Sequence, residues 1–104
     1  NIVAHLGKAV MVVETAYLWR EGSPKDKSAG KTYAWPKTPA GQATFLREVI
    51  DVVHELPEGK GIGVVWWHPD AIELPGAHIW FGGSCALFRP DGTPLPAAAE
   101  FARF

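Results

Sequence analysis

Cysteine is nearly absent from this sequence, which contains one, Cys85, among its 104 residues. A single cysteine can form no internal disulfide, and it cannot supply the paired thiols of a redox motif or the several thiolates of a zinc site. The sequence therefore excludes disulfide-stapled scaffolds and cysteine-rich zinc domains. We expect Cys85 to be a small buried hydrophobic residue rather than a nucleophile.

An excess of charge of either sign is also lacking. Ten Lys and Arg residues stand against eleven Asp and Glu residues, which gives a formal net charge of −1. Proteins that bind nucleic acids or anionic membranes carry a basic surplus, so we expect neither partner. The longest apolar runs, residues 9–13 and 62–67, are far shorter than the roughly 20 residues of a membrane span. The length and composition suit one globular domain.

Metal-ligand spacing is missing as well. No two of the four histidines stand at the i,i+4 or short-loop spacing that zinc sites favour; they are His5, His54, His68 and His78. We expect His5 and His54 to lie on helix surfaces. We predict no bound metal and no cofactor.

The order of elements predicts an α/β fold. Residues 9–13 and 62–67 are continuously apolar, which is typical of parallel strands covered on both faces. Between them, residues 19–37 form a polar, Gly- and Pro-containing loop. A helix is then predicted over residues 39–56 from the N-cap Thr38, from Pro39, and from the apolar spacing of Phe45, Val49, Val52, Val53 and Leu56. A helix that ends at Gly7 precedes the first strand, and a short helix over residues 96–104 closes the chain.

The long loops follow the strands, whereas the connections that enter the strands are short. In (β/α)₈ barrels the loops after the strands carry the chemistry. A dinucleotide-binding sheet shares this asymmetry, but Gly59, Gly61 and Gly63 precede a strand instead of following one. The sequence therefore favours a barrel-like arrangement over a dinucleotide-binding one.

Chemistry-bearing side chains stand at the ends of both strands. Glu14 ends the first strand, and Trp66, Trp67 and His68 end the second. A carboxylate beside exposed indole faces suits a sugar site, since pyranose C–H faces pack on aromatic rings while hydroxyls seek charged acceptors. By alternation one of the two tryptophans belongs to the core. For Glu14 alone, a solvated strand terminus is the competing interpretation.

Four motifs together resemble the C-terminal part of glycoside hydrolase family 53, the endo-β-1,4-galactanases. They are GKAVMVVETAY at residues 7–17, TPAGQATFLR at 38–47, GIGVVWWHP at 61–69, and ALF at 86–88 followed by DG at 91–92 and LPA at 95–97. They occur in the family's order and spacing over nearly the whole chain.

The resemblance implies a fold and a mechanism. Residues 1–104 are expected to be the C-terminal fragment of one (β/α)₈ barrel: the end of helix 6, strand 7, helix 7, strand 8 and helix 8. Glu14 falls on the catalytic nucleophile of a retaining glycosidase. The acid/base glutamate belongs to a strand outside this chain. The expected substrate-binding residues are Tyr17, Trp19, Trp67 and His68.

The resemblance also implies a substrate and a setting. The substrate would be the β-1,4-galactan of pectic type I arabinogalactan, cut by a secreted or periplasmic hydrolase. The chain alone is expected to be inactive, and its exposed strand edges would be completed by the remainder of the barrel or by self-association. No calcium is predicted, because residues 20–31 offer only Glu21 and Asp26 as acidic ligands.

Two departures from the family pattern leave alternatives open. Leu18 follows Tyr17 where the family commonly has proline, and His68 stands where it commonly has glutamate. One alternative is a related hydrolase of another β-linked polysaccharide. The other is a non-catalytic sugar-binding or assembly module.

Overall fold

Two parallel strands joined through one long helix form the centre of the structure, a computed structural model that describes residues 2–104. The elements are α1 (Ile2–Leu6), β1 (Val10–Thr15), α2 (Pro39–His54), β2 (Gly61–Trp66) and α3 (Pro96–Glu100). Short 3₁₀ turns occur at Pro57–Gly59, Trp80–Gly83 and Phe101–Arg103. The predicted order of an α/β fold is confirmed.

The predicted helix boundaries follow local capping chemistry. Gly7 adopts φ +61° and donates its N–H to the carbonyl of Val3, so α1 ends where the sequence indicates. The Thr38 hydroxyl accepts the N–H of Gly41 at 3.0 Å, and Pro39 occupies the first turn of α2. α2 ends at His54, two residues before the predicted end. The closing helix is α-helical only to Glu100 and then tightens into the last 3₁₀ turn.

The buried face of α2 differs from the predicted one. The buried residues are Gly41, Gln42, Ala43, Leu46, Ile50 and Val53, so only Val53 is shared with the predicted apolar row. Val52 is 65% exposed, and Phe45 and Val49 are half-buried. Val49 and Val52 instead line an open apolar groove with Val12 and Trp35. The apolar side chains of α2 therefore form two faces, of which one is covered in this chain.

The strands pair in parallel with two compensating irregularities. Val10 pairs with Gly61 and Met11 with Gly63, so β2 has one extra residue at its start. Val12 pairs with Val64 and Thr15 with Trp66, so three steps along β1 match two steps along β2. The second irregularity places the extra residue of a β-bulge in β1, and a bulge changes the direction of the side chains around it.

The continuous apolar runs predict strands that are covered on both faces in a complete domain, and this chain covers one of the two faces. α2 covers one face, where Val64 and Trp66 are buried. On the other face Met11, Val13 and Val65 are 45%, 63% and 45% exposed. One layer of helix is present among residues 2–104, and a single layer can cover only one face of a sheet.

Gln42 joins α2 to the segments that follow both strands. Its side chain is fully buried, and its amide nitrogen donates to the carbonyl of Tyr17 at 2.9 Å and to that of Ala86 at 3.0 Å. Its amide oxygen has no partner among the described residues. One side chain thus satisfies two backbone carbonyls that are far apart in sequence.

Ion pairs attach the C-terminal segment to α2. Arg47 binds the Glu100 carboxylate with two hydrogen bonds, of 2.7 and 3.2 Å, and Arg103 pairs with Asp51 at 2.7 Å. The hydrogen bonds from Arg47 hold the pKa of Glu100 below its ordinary value. Both pairs lie at the surface, where ion pairs add little to the free energy of unfolding. Their main effect is to fix the position of the C-terminal segment along α2.

Cys85 lies in the core as predicted. The residue is 4% exposed, and burial raises the pKa of its thiol to about 11. Its carbonyl accepts the indole N–H of the buried Trp66 at 2.8 Å. The thiol is therefore protonated at neutral pH and unsuited to nucleophilic attack.

Within residues 2–104, no helix has the length and apolar character needed to cross a membrane.

We expect Gln42→Leu to lower the free energy of unfolding by about 2–4 kcal/mol, because two buried carbonyls lose their donor. Gln42→Glu keeps the shape but replaces the amide donor, so a similar loss is expected. Urea denaturation measures both. The control is Glu48→Gln on the exposed surface of the same helix, with an expected change below about 0.5 kcal/mol. A loss that small in Gln42→Leu would contradict the bridging role.

Alkylation should distinguish the folded from the unfolded thiol. At pH 8 a thiol with a pKa near 11 holds roughly a hundredth of the thiolate of an unperturbed cysteine, so we expect iodoacetamide to modify Cys85 at least about 100-fold more slowly in the folded protein. Mass spectrometry with and without urea gives the two rates. Equal rates would show that the thiol is accessible and ionised in the fold.

Candidate active site

Glu14 and Trp67 line one recess at the C-terminal ends of the two strands. The recess has a volume of about 230 Å³, and its lining is Glu14, Thr15, Ala16, Trp67 and Trp80. Glu14 is exposed, and Trp67 is 41% exposed. The structure therefore brings together the carboxylate and the indole that the sequence placed at corresponding strand ends.

Strand pairing explains why these two side chains meet. The Thr15 carbonyl accepts the N–H of Trp67 at 2.8 Å, which aligns the two strand ends. In a regular strand Glu14 would share the face of Val12, which packs against the core. The bulge between Val12 and Thr15 leaves both Val13 and Glu14 exposed. The extra residue thus directs the Glu14 carboxylate to the open side of the sheet.

The two adjacent tryptophans divide as alternation predicts. Trp66 is 5% exposed and packs in the core, with its indole N–H satisfied by the Cys85 carbonyl. Trp67 points the opposite way, into the recess. The prediction that one of the pair belongs to the core is confirmed.

Two aromatic rings continue from Trp67 beside the recess, those of His68 and Trp80. The rings of Trp67 and His68 are 4.7 Å apart and perpendicular, and those of His68 and Trp80 are 5.7 Å apart. His68 has φ +53° and Phe81 has φ +49°, left-handed values that cost energy in residues with side chains. A third such residue, Glu58, lies in the turn before β2, so two of the three described residues of this kind are near the recess.

Sequence reasoning missed Trp80. It stands in a Gly- and Pro-rich stretch with no regular periodicity, and nothing in that pattern specifies which strand end the loop approaches. The one feature of the sequence that could have identified Trp80 is that it is a large aromatic residue in the irregular loop after the second strand.

Arg20 and Trp19 tie the loop after β1 to the loop after β2. Arg20 pairs with Glu73 at 2.9 Å and donates to the Gly82 carbonyl at 2.9 Å. The Trp19 indole N–H donates to the Gly83 carbonyl at 3.0 Å. These bonds hold the 3₁₀ turn that begins with Trp80, so they position that ring against the recess.

Tyr17 and Trp19 do not line the recess in this structure. Tyr17 is 7% exposed, its ring stacks on Phe45 at 4.7 Å, and its hydroxyl donates to the Trp35 carbonyl at 2.5 Å. Burial raises its pKa, a shift that the Trp35 hydrogen bond only partly offsets. Trp19 is half-buried and uses its indole N–H on Gly83. Both residues thus have packing and hydrogen-bonding roles in this chain, and their contact with substrate stays a prediction.

The chemistry of the recess is that of a free carboxylate against aromatic rings. Glu14 makes no hydrogen bond or ion pair with another residue of the described chain, so its oxygens are available to a ligand. No second carboxylate lines the recess. Among residues 2–104, no group of three His, Cys, Asp or Glu side chains could hold a metal ion. The absence of metal and cofactor stays a prediction.

Comparison with known proteins gives a consistent family assignment. The sequence profile described as Glycosyl hydrolase family 53 matches residues 1–101. An arabinogalactan endo-β-1,4-galactanase of Humicola insolens is 32% identical over 99% of this chain and 30% of its own length. An endo-β-1,4-galactanase of Bacillus subtilis (strain 168) is 38% identical over 61% of this chain and 16% of its own length.

Solved structures agree with these relatives. The GH53 catalytic domain of Ignisphaera aggregans superposes with a TM-score of 0.77 and 26% identity, over 95% of this chain and 31% of that domain. A fungal β-1,4-galactanase superposes with a TM-score of 0.70 at 24% identity, over 100% of this chain and 30% of that structure, which supports the fold alone. The chain spans about 30% of the length of the relatives that it matches over almost its whole extent.

Proposed function

The chain belongs to glycosyl hydrolase family 53, and from that premise we propose that it carries the nucleophile half of the active site of a retaining endo-β-1,4-galactanase. One observation carries the proposal. The unpaired carboxylate of Glu14 ends a parallel strand and shares a recess with the exposed indole of Trp67. The substrate is the β-1,4-galactan backbone of pectic arabinogalactan.

The proposed reaction has two displacements. A Glu14 oxygen attacks the anomeric carbon, the glycosidic bond breaks, and a covalent glycosyl ester forms while the leaving oxygen takes a proton from an acid/base carboxyl group. That group then removes a proton from water, which cleaves the ester and regenerates Glu14. Retaining glycosidases hold the two carboxyl groups about 5–5.5 Å apart. Since no second carboxylate lines the recess of Glu14, the acid/base group in this proposal comes from polypeptide outside these residues.

The aromatic side chains have binding roles in this proposal. Trp67 offers its indole face to the apolar C–H face of the sugar whose bond is cut, which holds the anomeric carbon beside Glu14. His68 and Trp80 extend the same surface along the polysaccharide. Trp19 acts indirectly, through the turn that holds Trp80.

The uncovered surfaces support assembly into a larger barrel. Met11, Val13 and Val65 expose an apolar sheet face, and both outer strand edges lack partners among residues 2–104. The groove beside Val49 and Val52 is apolar as well. Surfaces of this kind are unfavourable in water. We infer that the remaining strands and helices of a (β/α)₈ barrel cover them, and that these 104 residues alone are inactive.

A polymeric substrate also determines where the enzyme works. A polysaccharide does not diffuse across a membrane, so we propose an extracellular or periplasmic location.

The proposed chemistry needs two carboxyl groups and water only, which is consistent with the prediction that no cofactor, nucleic acid or membrane partner takes part.

In the complete barrel, we expect Glu14→Gln to reduce kcat by at least about 1000-fold while oligogalactan binding stays within a few-fold, because the amide keeps the shape and loses the nucleophile. Hydrolysis kinetics and calorimetry measure the two effects. Glu55→Gln, which removes an exposed carboxylate at the other end of α2 from the recess, is the matched control. Undiminished turnover in Glu14→Gln would refute the assignment, and a wild-type barrel that binds without cleaving would favour the sugar-binding module.

A panel of polysaccharides separates galactanase activity from that of a related hydrolase. We expect the complete barrel to cleave β-1,4-galactan at least about 100-fold faster than mannan, xylan or β-glucan, since pocket contacts to a sugar hydroxyl discriminate at that level. Reducing-end release gives the rates. Faster cleavage of another member of the panel would assign the chain to that substrate instead.

A further inference from the structure

Basic charge is concentrated in the loop that connects β1 to α2. The whole chain has a formal net charge of −1, yet residues 19–37 contain five of its ten basic residues and only two acidic ones. Such a local surplus in a nearly neutral protein creates a positive field over one part of the surface. This loop also forms one side of the region around Trp80.

Three of these basic residues, Lys25, Lys27 and Lys31, make no ion pair within residues 2–104, and the first two line one recess. Arg20 is paired with Glu73 and Lys37 with Glu21, whereas Lys25 and Lys27 are exposed and make no ion pair within residues 2–104. The neighbouring Asp26 accepts the backbone N–H of Ser23 at 2.7 Å, which fixes it in the local turn. Its carboxylate offsets one of the two charges, so residues 25–27 carry a net charge of +1.

Lys25 and Lys27 belong to a second recess next to the first. Its volume is about 320 Å³, and its lining is Lys25, Asp26, Lys27, His78, Ile79, Trp80 and Phe81. Trp80 lines both recesses, so the two cavities are neighbours that share this ring. The rings of Trp80 and Phe81 are 4.8 Å apart and perpendicular, and they give the second recess an aromatic wall.

Hydrogen bonds between the two loops hold the aromatic wall next to the loop that carries Lys25 and Lys27. Arg20 and Trp19 donate to the carbonyls of Gly82 and Gly83, in the same turn that begins with Trp80. The lysines lie a few residues further along the loop that supplies these two donors. The charged side and the aromatic side of the recess are therefore parts of one connected unit.

We propose that the second recess is a subsite for an acidic sugar, a uronic acid residue of the polysaccharide. Its ring packs on Trp80 and Phe81, and its carboxylate faces Lys25 and Lys27. The hydroxyls of a neutral galactose could accept hydrogen bonds from the ammonium groups but would gain no attraction between opposite charges, and a simple inorganic anion would not use the wall. The combination selects a carbohydrate that carries a carboxylate. The inference rests on the proposed function, because it concerns the same substrate chain.

The test compares two matched substrates in the complete barrel: a neutral β-1,4-galacto-oligosaccharide, and the same oligosaccharide with its terminal galactose oxidised at C6 to the uronate. We expect the wild type to favour the acidic substrate in kcat/KM. We expect Lys25→Gln combined with Lys27→Gln to lower the acidic-to-neutral ratio roughly three- to tenfold at low salt, mainly through KM.

Two controls separate a specific site from general loop charge. Lys25→Arg with Lys27→Arg keeps both charges and should keep the ratio. Lys31→Gln removes one charge from the same loop outside this recess, so the ratio should not change. An equal drop in Lys31→Gln would overturn the subsite in favour of diffuse attraction.

The outcomes also separate this inference from the proposed function. If the wild type cleaves neutral galactan and the lysine variants leave the ratio unchanged, the acidic subsite is wrong and the galactanase assignment stands. If the wild type cleaves neither substrate, the galactanase assignment fails. Calorimetric titration with the two oligosaccharides then tests the subsite alone, and equal affinities would overturn it.

Discussion

The parallel pairing of β1 (Val10–Thr15) with β2 (Gly61–Trp66) is the constraint on which the candidate site depends. It aligns the two strand ends through the hydrogen bond from the Trp67 N–H to the Thr15 carbonyl. One extra residue in β1 then reverses the direction of Glu14 relative to strict alternation. Without that bulge, the carboxylate would share the face of Val12 and point at the core. A single backbone irregularity thus separates a buried carboxylate from an exposed one.

Polar groups from helices and loops give the irregular segments a defined position. Gln42 satisfies carbonyls after β1 and after β2, and the Trp66 indole satisfies that of Cys85. Nearer the recess, Arg20 and Trp19 hold the turn that presents Trp80. Each donor is fixed by a packed element or an ion pair, so the loops act as walls of the site even though they contain little regular structure.

Local signals in the sequence predicted where helices begin and end better than which of their faces are buried. Thr38 and Pro39 identified the start of α2, and Gly7 identified the end of α1, because caps and turns depend on neighbouring residues only. The buried face of α2 was predicted incorrectly, since apolar residues occur around much of its surface and spacing alone cannot say which of them meets the sheet. Tyr17 packs in the core of this chain, and its position after a strand end could not specify the direction of its ring, so its predicted role toward substrate stays a prediction.

The sequence by itself determined the α/β order, the pair of strand ends with a carboxylate and two tryptophans, and the family through four motifs in sequence order. These are properties of local residue patterns. Only the tertiary structure decided that Trp80 joins Glu14 and Trp67 in one recess, and that Lys25 and Lys27 lie beside the same ring. Such juxtapositions arise from strand register and from hydrogen bonds between residues more than 60 positions apart, such as Trp19 and Gly83, and no local pattern encodes them.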